Sequence, residues 1–227
     1  MKKIMIVFGT RPEAIKMAPL IKAIDKDERF QSITVVTAQH REMLDQVLDI
    51  FKIKPDYDLD IMGKNQTLSQ ITIKVLTEME KVVAEEKPDI MLVHGDTSTT
   101  FAASIAAFYH HIQLGHVEAG LRTWNKYSPF PEEMNRQLTD VLSDIYFAPT
   151  EESKVNLLQE NHAPEDIYIT GNTAIDALRY TVPSKVKKDR RQILITMHRR
   201  ENLGEPMENV FKAVKDIALK YSELSVV

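Results

Sequence analysis

Ile4-Met5-Ile6-Val7-Phe8-Gly9-Thr10-Arg11-Pro12-Glu13 is the stretch whose reading decides the fold. Five apolar residues in a row, ended by a glycine, read as a strand buried on both faces, as in a parallel sheet covered by helices. A helix opens directly after it: Thr10-x-x-Glu13 is a capping box, and Pro12 suits a first helical turn. The same turn has a second reading. A helix N-terminus offers free N–H groups and a positive dipole end to an anion, and Arg11 and Lys16 would add cations for a diphosphate. Both readings stand on these residues alone. The dinucleotide fingerprint G-x-G-x-x-G is absent.

Working outward, comparable β-branched runs recur at residues 33–37, 90–94, 113–117, 145–148 and 167–170. Amphipathic stretches lie between them. The clearest is 67–86, with Leu68, Ile71, Val75, Met79, Val82 and Val83 on one stripe. Residues 98–109, rich in alanine, read as a helix buried against the sheet. This alternation predicts an α/β fold, a doubly wound, right-handed parallel sheet. Gly9, Gly95, Gly120 and Gly171 each fall at a predicted strand's C-terminal end, the edge where open α/β sheets bind ligands. Tight turns from strand to helix also need glycine, so their placement is a pointer only. A short helix (173–180), a polar linker (183–191), a strand (192–197), a helix (206–221) and an apolar start (224–227) then begin a second βαβ unit. So short a unit buries little surface, and a truncated second domain is expected.

Composition excludes several classes. With 43% hydrophobic and 27% charged residues, the 227-residue chain can bury a core. A net charge of -4 argues against a nucleic-acid or membrane-surface binder, and no apolar run approaches a membrane span. The absence of cysteine excludes disulfides and thiolate chemistry. A cytoplasmic protein is expected.

Chemistry-bearing residues gather at the predicted strand ends. Asp96, in His94-Gly95-Asp96-Thr97, reads either as a helix cap or as a catalytic carboxylate. Glu118, in His116-Val117-Glu118-Ala119-Gly120-Leu121-Arg122, leaves a buried strand and calls for a partner, Arg122 or a ligand. Glu132 and Glu133 sit in a first helical turn after Tyr127-Ser128-Pro129-Phe130-Pro131, where acids also pair with the helix dipole. His198, in Met197-His198-Arg199-Arg200-Glu201-Asn202, is either structural or aimed at a ligand between domains. Carboxylates, cations and a histidine at one edge favour acid/base chemistry on a polar substrate. No metal-ligand spacing is evident, since the adjacent His110 and His111 point apart on a helix.

Six motifs, in order along the whole chain, carry a family resemblance. They are Phe-Gly-Thr-Arg-Pro-Glu-Ala-Ile-Lys-Met-Ala-Pro (8–19), Val-His-Gly-Asp-Thr (93–97) and Gly-His-Val-Glu-Ala-Gly-Leu-Arg-Thr (115–123). Ser-Pro-Phe-Pro-Glu-Glu (128–133), Thr-Gly-Asn-Thr-Ala-Ile-Asp (170–176) and His-Arg-Arg-Glu-Asn (198–202) complete the set. The chain closely resembles the bacterial non-hydrolysing UDP-N-acetylglucosamine 2-epimerases. The resemblance implies a glycosyltransferase-B-type pair of Rossmann-like domains: 1–172 carrying the carboxylates, 173–190 connecting, and 191–227 beginning an incomplete nucleotide-binding domain. It implies interconversion of UDP-GlcNAc and UDP-ManNAc by elimination and re-addition of UDP, without metal or nicotinamide. No cofactor is expected. Carried over by position, Asp96, Glu118, Glu132 and His198 are the catalytic groups. Arg11 and Lys16 are substrate contacts, together with Asp96, Glu118 and His198. A homodimer through the first domain, with UDP-GlcNAc or UDP as ligand, is implied as well, and a role in polysaccharide biosynthesis.

Departures from the family pattern are specific. Met197 stands where a small residue usually precedes the histidine. Glu42 replaces an amide, and Asn65 an arginine, where many members hold a second UDP-GlcNAc as activator; both changes disfavour a diphosphate there. With most of the second domain expected to be missing, the chain by itself is expected to have little or no activity. The alternatives are a hydrolysing epimerase, which releases free ManNAc, and a nucleotide-sugar transferase of the same architecture.

Overall fold

β1 (Lys2–Phe8) is an interior strand of a parallel sheet and is buried along most of its length because helices cover both of its faces. Ile4, Ile6 and Phe8 pack on one side with Met17 and Ile21 of α1 (Arg11–Ile24) and Leu44 and Leu48 of α2 (Arg41–Phe51). Met5 and Val7 pack on the other with Ile71, Val75 and Met79 of α3 (Leu68–Glu86) and Ala102 and Ala106 of α4 (Ser98–Tyr109). Alternate side chains of a strand point to opposite faces, so an uninterrupted apolar run is what two covered faces demand. Leu68 is the exception on the expected α3 stripe: at the first helical position it remains 42% exposed.

The remaining strands are β2 (Phe30–Val36), β3 (Tyr57–Asp58), β4 (Ile90–His94), β5 (Gln113–Val117), β6 (Ile145–Ala148) and β7 (Ile167–Ile169). Their order is β3-β2-β1-β4-β5-β6-β7, with every neighbouring pair parallel. α5 (Glu132–Leu142), α6 (Glu151–Gln159) and α7 (Ala174–Thr181) complete this unit. The chain is a doubly wound, Rossmann-like α/β protein, as its sequence predicts. β3, only two residues long, carries no periodic signal and was not expected.

This computed structural model describes residues 1–38, 41–63, 66–182, 191–196 and 204–227, apart from the Glu42 side chain. It divides into two units, Met1–Val182 and Pro183–Val227. In the second, β8 (Arg191–Ile193) and β9 (Leu224–Val226) pair in parallel, and α8 (Glu205–Lys220) leaves Phe211 and Leu219 exposed. His198, Met197 and Asn65 lie outside the described residues. No described helix is long and apolar enough to cross a membrane.

Strand order positions the site. From β1 the chain winds outward to β2 and β3, and from β4 it winds the other way, so β1 and β4 flank a switch point, the place where open α/β sheets form a ligand crevice. Close packing beneath that crevice requires Gly9. A Cβ there would lie 2.2 Å from Thr37 Oγ1 and 2.7 Å from Thr99 Oγ1, whose hydroxyls are themselves 2.9 Å apart.

Candidate active site

Glu13 ties the two diverging loops together. Its Oε2 accepts from the Gly9 and Thr10 amides at 3.0 and 2.7 Å, the return half of the capping box. Its Oε1 accepts from Thr97 Oγ1 at 2.8 Å and Thr100 Oγ1 at 3.2 Å, across the crevice. The carboxyl is buried, so the acid acts as a fastener between loops and is not available to a ligand. Arg11, the first residue of α1, is exposed and makes no ion pair among the described residues. It is available at the helix N-terminus to an anion.

Lys16 is engaged. Its Nζ donates to both oxygens of Glu118, at 2.7 and 2.6 Å, and Asn172 Nδ2 donates to Glu118 Oε2 at 2.7 Å. The cation that Glu118 calls for is thus Lys16; Arg122 lies instead with Asp140 and Glu160. His94 Nε2 stands 3.7 Å from Glu118 Oε2, and neither ring nitrogen of this buried histidine has a hydrogen-bond partner among the described residues. Burial raises the Glu118 pKa, but His94 and the contacting Lys16 lower it further, to about 2. The Glu118 backbone has φ +69°, a left-handed conformation that a glutamate adopts only when its surroundings impose it. A positive φ held by an ion pair at a strand's C-terminal end makes Glu118 a candidate functional position.

Asp96 is not the cap of α4. That role falls to Thr97, whose side chain accepts from the Thr100 amide at 3.1 Å. The Asp96 carboxylate instead pairs with Arg136 Nη2 at 2.6 Å, and Asn135 Nδ2 donates to the Asp96 carbonyl at 2.9 Å. Asn135 and Arg136 follow Glu132 by three and four residues on α5, so Glu132 lies on the same helical face, directed to the Asp96 loop. Glu132 is half-buried and has no hydrogen bond or ion pair among the described residues. Glu133, its neighbour, is fully buried. It accepts from the Thr123 and Trp124 amides at 3.0 Å each and from Gln137, and it pairs with Arg136. Burial raises its pKa, but these donors bring it below the ordinary glutamate value. Two adjacent acids thus differ: Glu133 shapes the loop, and Glu132 keeps its carboxylate without a partner among the described residues.

Of the residues proposed from sequence, Glu118 and Lys16 are in contact, and Asp96 meets α5, the helix that Glu132 opens, through Arg136 and Asn135. Arg136, Asn135, Asn172 and His94 were missed as participants. Each lies within a quoted motif or next to one, but only the tertiary contacts show what each touches. Among the described residues, no three His, Asp or Glu side chains cluster as a metal ion would need.

The UDP-N-acetylglucosamine 2-epimerase family model matches residues 22–227. A Bacillus subtilis UDP-N-acetylglucosamine 2-epimerase is 58% identical over 99% of this chain and 61% of its own length. A Neisseria meningitidis UDP-GlcNAc 2-epimerase solved bound to UDP-GlcNAc is 51% identical, with a TM-score of 0.85 over 99% of this chain and 64% of that one. A Staphylococcus aureus MnaA–UDP co-structure is 57% identical, with a TM-score of 0.85 over 100% of this chain and 62% of that one. A MurG structure from Acinetobacter baumannii, 12% identical at a TM-score of 0.62, shares the fold alone. This chain spans about three fifths of the length of the relatives it matches. With the motif order, the strand order and these likenesses in agreement, the chain belongs to the UDP-N-acetylglucosamine 2-epimerase family.

Proposed function

We propose that the protein interconverts UDP-GlcNAc and UDP-ManNAc at the C-terminal edge of the sheet. The observation that carries this reading is Glu118, at φ +69° after β5 and held by Lys16 and Asn172, with Asp96 at the end of the neighbouring strand β4 held by Arg136. UDP-GlcNAc and UDP in the two related structures support the ligand class.

In this reading the C1–O bond to UDP breaks with its electron pair on the diphosphate, the C2 proton leaves, and a C1–C2 double bond forms. Re-addition of UDP and delivery of a proton to the other face of C2 give the epimer. No carbonyl activates C2, so stabilising the leaving diphosphate is the main demand on the protein. Arg11 and Lys16 meet it. A diphosphate that draws Lys16 away leaves Glu118 without its contacting cation, and burial then makes the carboxylate a better base. Asp96, with Arg136 beside it, and Glu132 are the further carboxylates that move protons, and His198 is the fourth group. The enzyme is read as a cytoplasmic homodimer needing no cofactor.

The test is to incubate UDP-GlcNAc in D2O with this chain, and with a version extended to the relatives' full length, following the sugar anomeric protons by NMR. UDP-ManNAc carrying deuterium at C2 supports the reading. Free ManNAc points to a hydrolysing enzyme, and no product from the extended protein overturns the proposal.

A further inference from the structure

His116 lies two residues before Glu118 on β5, with its side chain fully buried. Its Nε2 is 2.7 Å from the Gly95 carbonyl and its Nδ1 is 2.5 Å from Asp140 Oδ1. A carbonyl oxygen only accepts, so Nε2 carries a hydrogen. Asp140 is also fully buried, and its Oδ2 accepts from Arg122 Nη2 at 2.6 Å and from the Gly120 amide at 3.3 Å. Burial raises the Asp140 pKa, but His116 and Arg122 hold it below the ordinary aspartate value. With Arg122 and the Gly120 amide both donating to Oδ2, Asp140 is placed as an acceptor, and an acceptor at Oδ1 puts a hydrogen on Nδ1 as well.

Charge balance leads to the same state. Glu160 accepts from Arg122 Nε at 2.8 Å and Nη2 at 2.5 Å, and His162 stands 3.7 Å from Glu160. With a cationic His116, two cations, His116 and Arg122, meet two carboxylates, Asp140 and Glu160. With a neutral ring and Asp140 still ionised, the group would hold an uncompensated negative charge where desolvation is costly.

We propose that His116 and Asp140 are positioning residues: a buried imidazolium–carboxylate pair that locks the Asp96 loop to the Glu118 loop. Gly95, whose carbonyl the ring holds, immediately precedes Asp96 and has φ +67°; its amide donates to Val117. Gly120, whose amide Asp140 holds, follows Glu118 by two residues and has φ +81°. The pair thus grips both loops at backbone positions that only a left-handed conformation can supply. A displacement of about 1 Å at reacting groups costs on the order of a hundredfold in rate, which is the reason such a grip matters. The proposal rests on reading Asp96 and Glu118 as the reacting carboxylates, but the grip itself can be measured without turnover.

Imidazole ¹⁵N NMR of the 227-residue chain at neutral pH, with His116 identified through the His116→Gln variant, is expected to show both of its ring nitrogens protonated. A single protonated nitrogen overturns the proposal. Amide hydrogen exchange then separates positioning from general stability. In His116→Gln, and in the isosteric Asp140→Asn should the first fail to fold, exchange at Gly95 and Gly120 is expected to quicken by about tenfold or more while Val7 and Val35 are unchanged. Unchanged exchange at the two glycines, or equal quickening throughout the sheet, overturns it. In the extended protein the same variants are expected to lower kcat with KM retained. A wild-type protein without epimerase activity would sink the functional reading and leave the exchange result standing.

Discussion

At the scale of single residues, Glu118 concentrates the chemistry and yields a pH signature. Its pKa falls from the ordinary 4.5 to about 2 in the folded chain. A depressed carboxyl contributes stability that is fully present above its unfolded value and is lost as pH falls through the folded one. Wild-type stability is therefore expected to include a Glu118 contribution that disappears between pH 4.5 and about 2. Glu118→Gln removes that contribution while keeping size and shape, so denaturation midpoints of the variant should decline less steeply over this window. Equal declines would show that His94 and Lys16 do not hold the Glu118 carboxylate in solution as they do in the structure. Gly9 offers a steric test. A Cβ at 2.2 Å from Thr37 Oγ1 forces the loop or the threonine to shift, so Gly9→Ala should cost about 1–3 kcal/mol in chemical denaturation. Adding Thr37→Ala should recover part of the loss.

At the scale of elements, α5 distinguishes neighbours that look alike in sequence. Glu133 satisfies two backbone amides and two side chains from a fully buried position, so Glu133→Ala should destabilise the chain by about 2–4 kcal/mol. Glu132 has no such partners among the described residues, so Glu132→Gln should alter stability by no more than about 0.5 kcal/mol and still abolish epimerisation in the extended protein. The reverse pattern in denaturation and turnover would exchange their roles. Helical period and the Pro131-Glu132-Glu133 order predict a helix starting here, with acids at its positive end. They do not predict which acid turns inward. That depends on where the Thr123 and Trp124 amides lie, ten and nine residues upstream.

At the scale of the molecule, α3, α4 and α5 pack successively and present Ile73, Phe108, Tyr109 and Val141, each 58–70% exposed. The homodimer proposed above is expected to cover these residues, and light scattering should then report twice the chain mass. Phe108→Asp with Val141→Asp should return it to one chain mass. The second unit is small, with a two-stranded sheet and exposed Leu194, Phe211 and Leu219. With three fifths of the relatives' length present, the 227-residue chain is expected to show background turnover in the deuterium assay, and the extended protein full turnover. Comparable rates from the two would show that the described residues suffice.

Local pattern alone determined the parallel sheet, because uninterrupted apolar strands, capped helix starts and strand-end glycines are properties of short segments. It also pointed to the loops after residues 8, 94 and 117 as a candidate ligand edge, and the motifs in those loops pointed to the family. Only tertiary structure decided who meets whom. Lys16 reaches Glu118 across 102 residues, Arg136 takes Asp96 from 40 residues away, and His116 finds Asp140 on a helix 24 residues on. Those pairings depend on strand order, since β5 lies two places from β1 and the loops after both open into one crevice. Spacing along a chain carries no record of such contacts, because the sheet sets them through its hydrogen-bonded neighbours and not through the residues between.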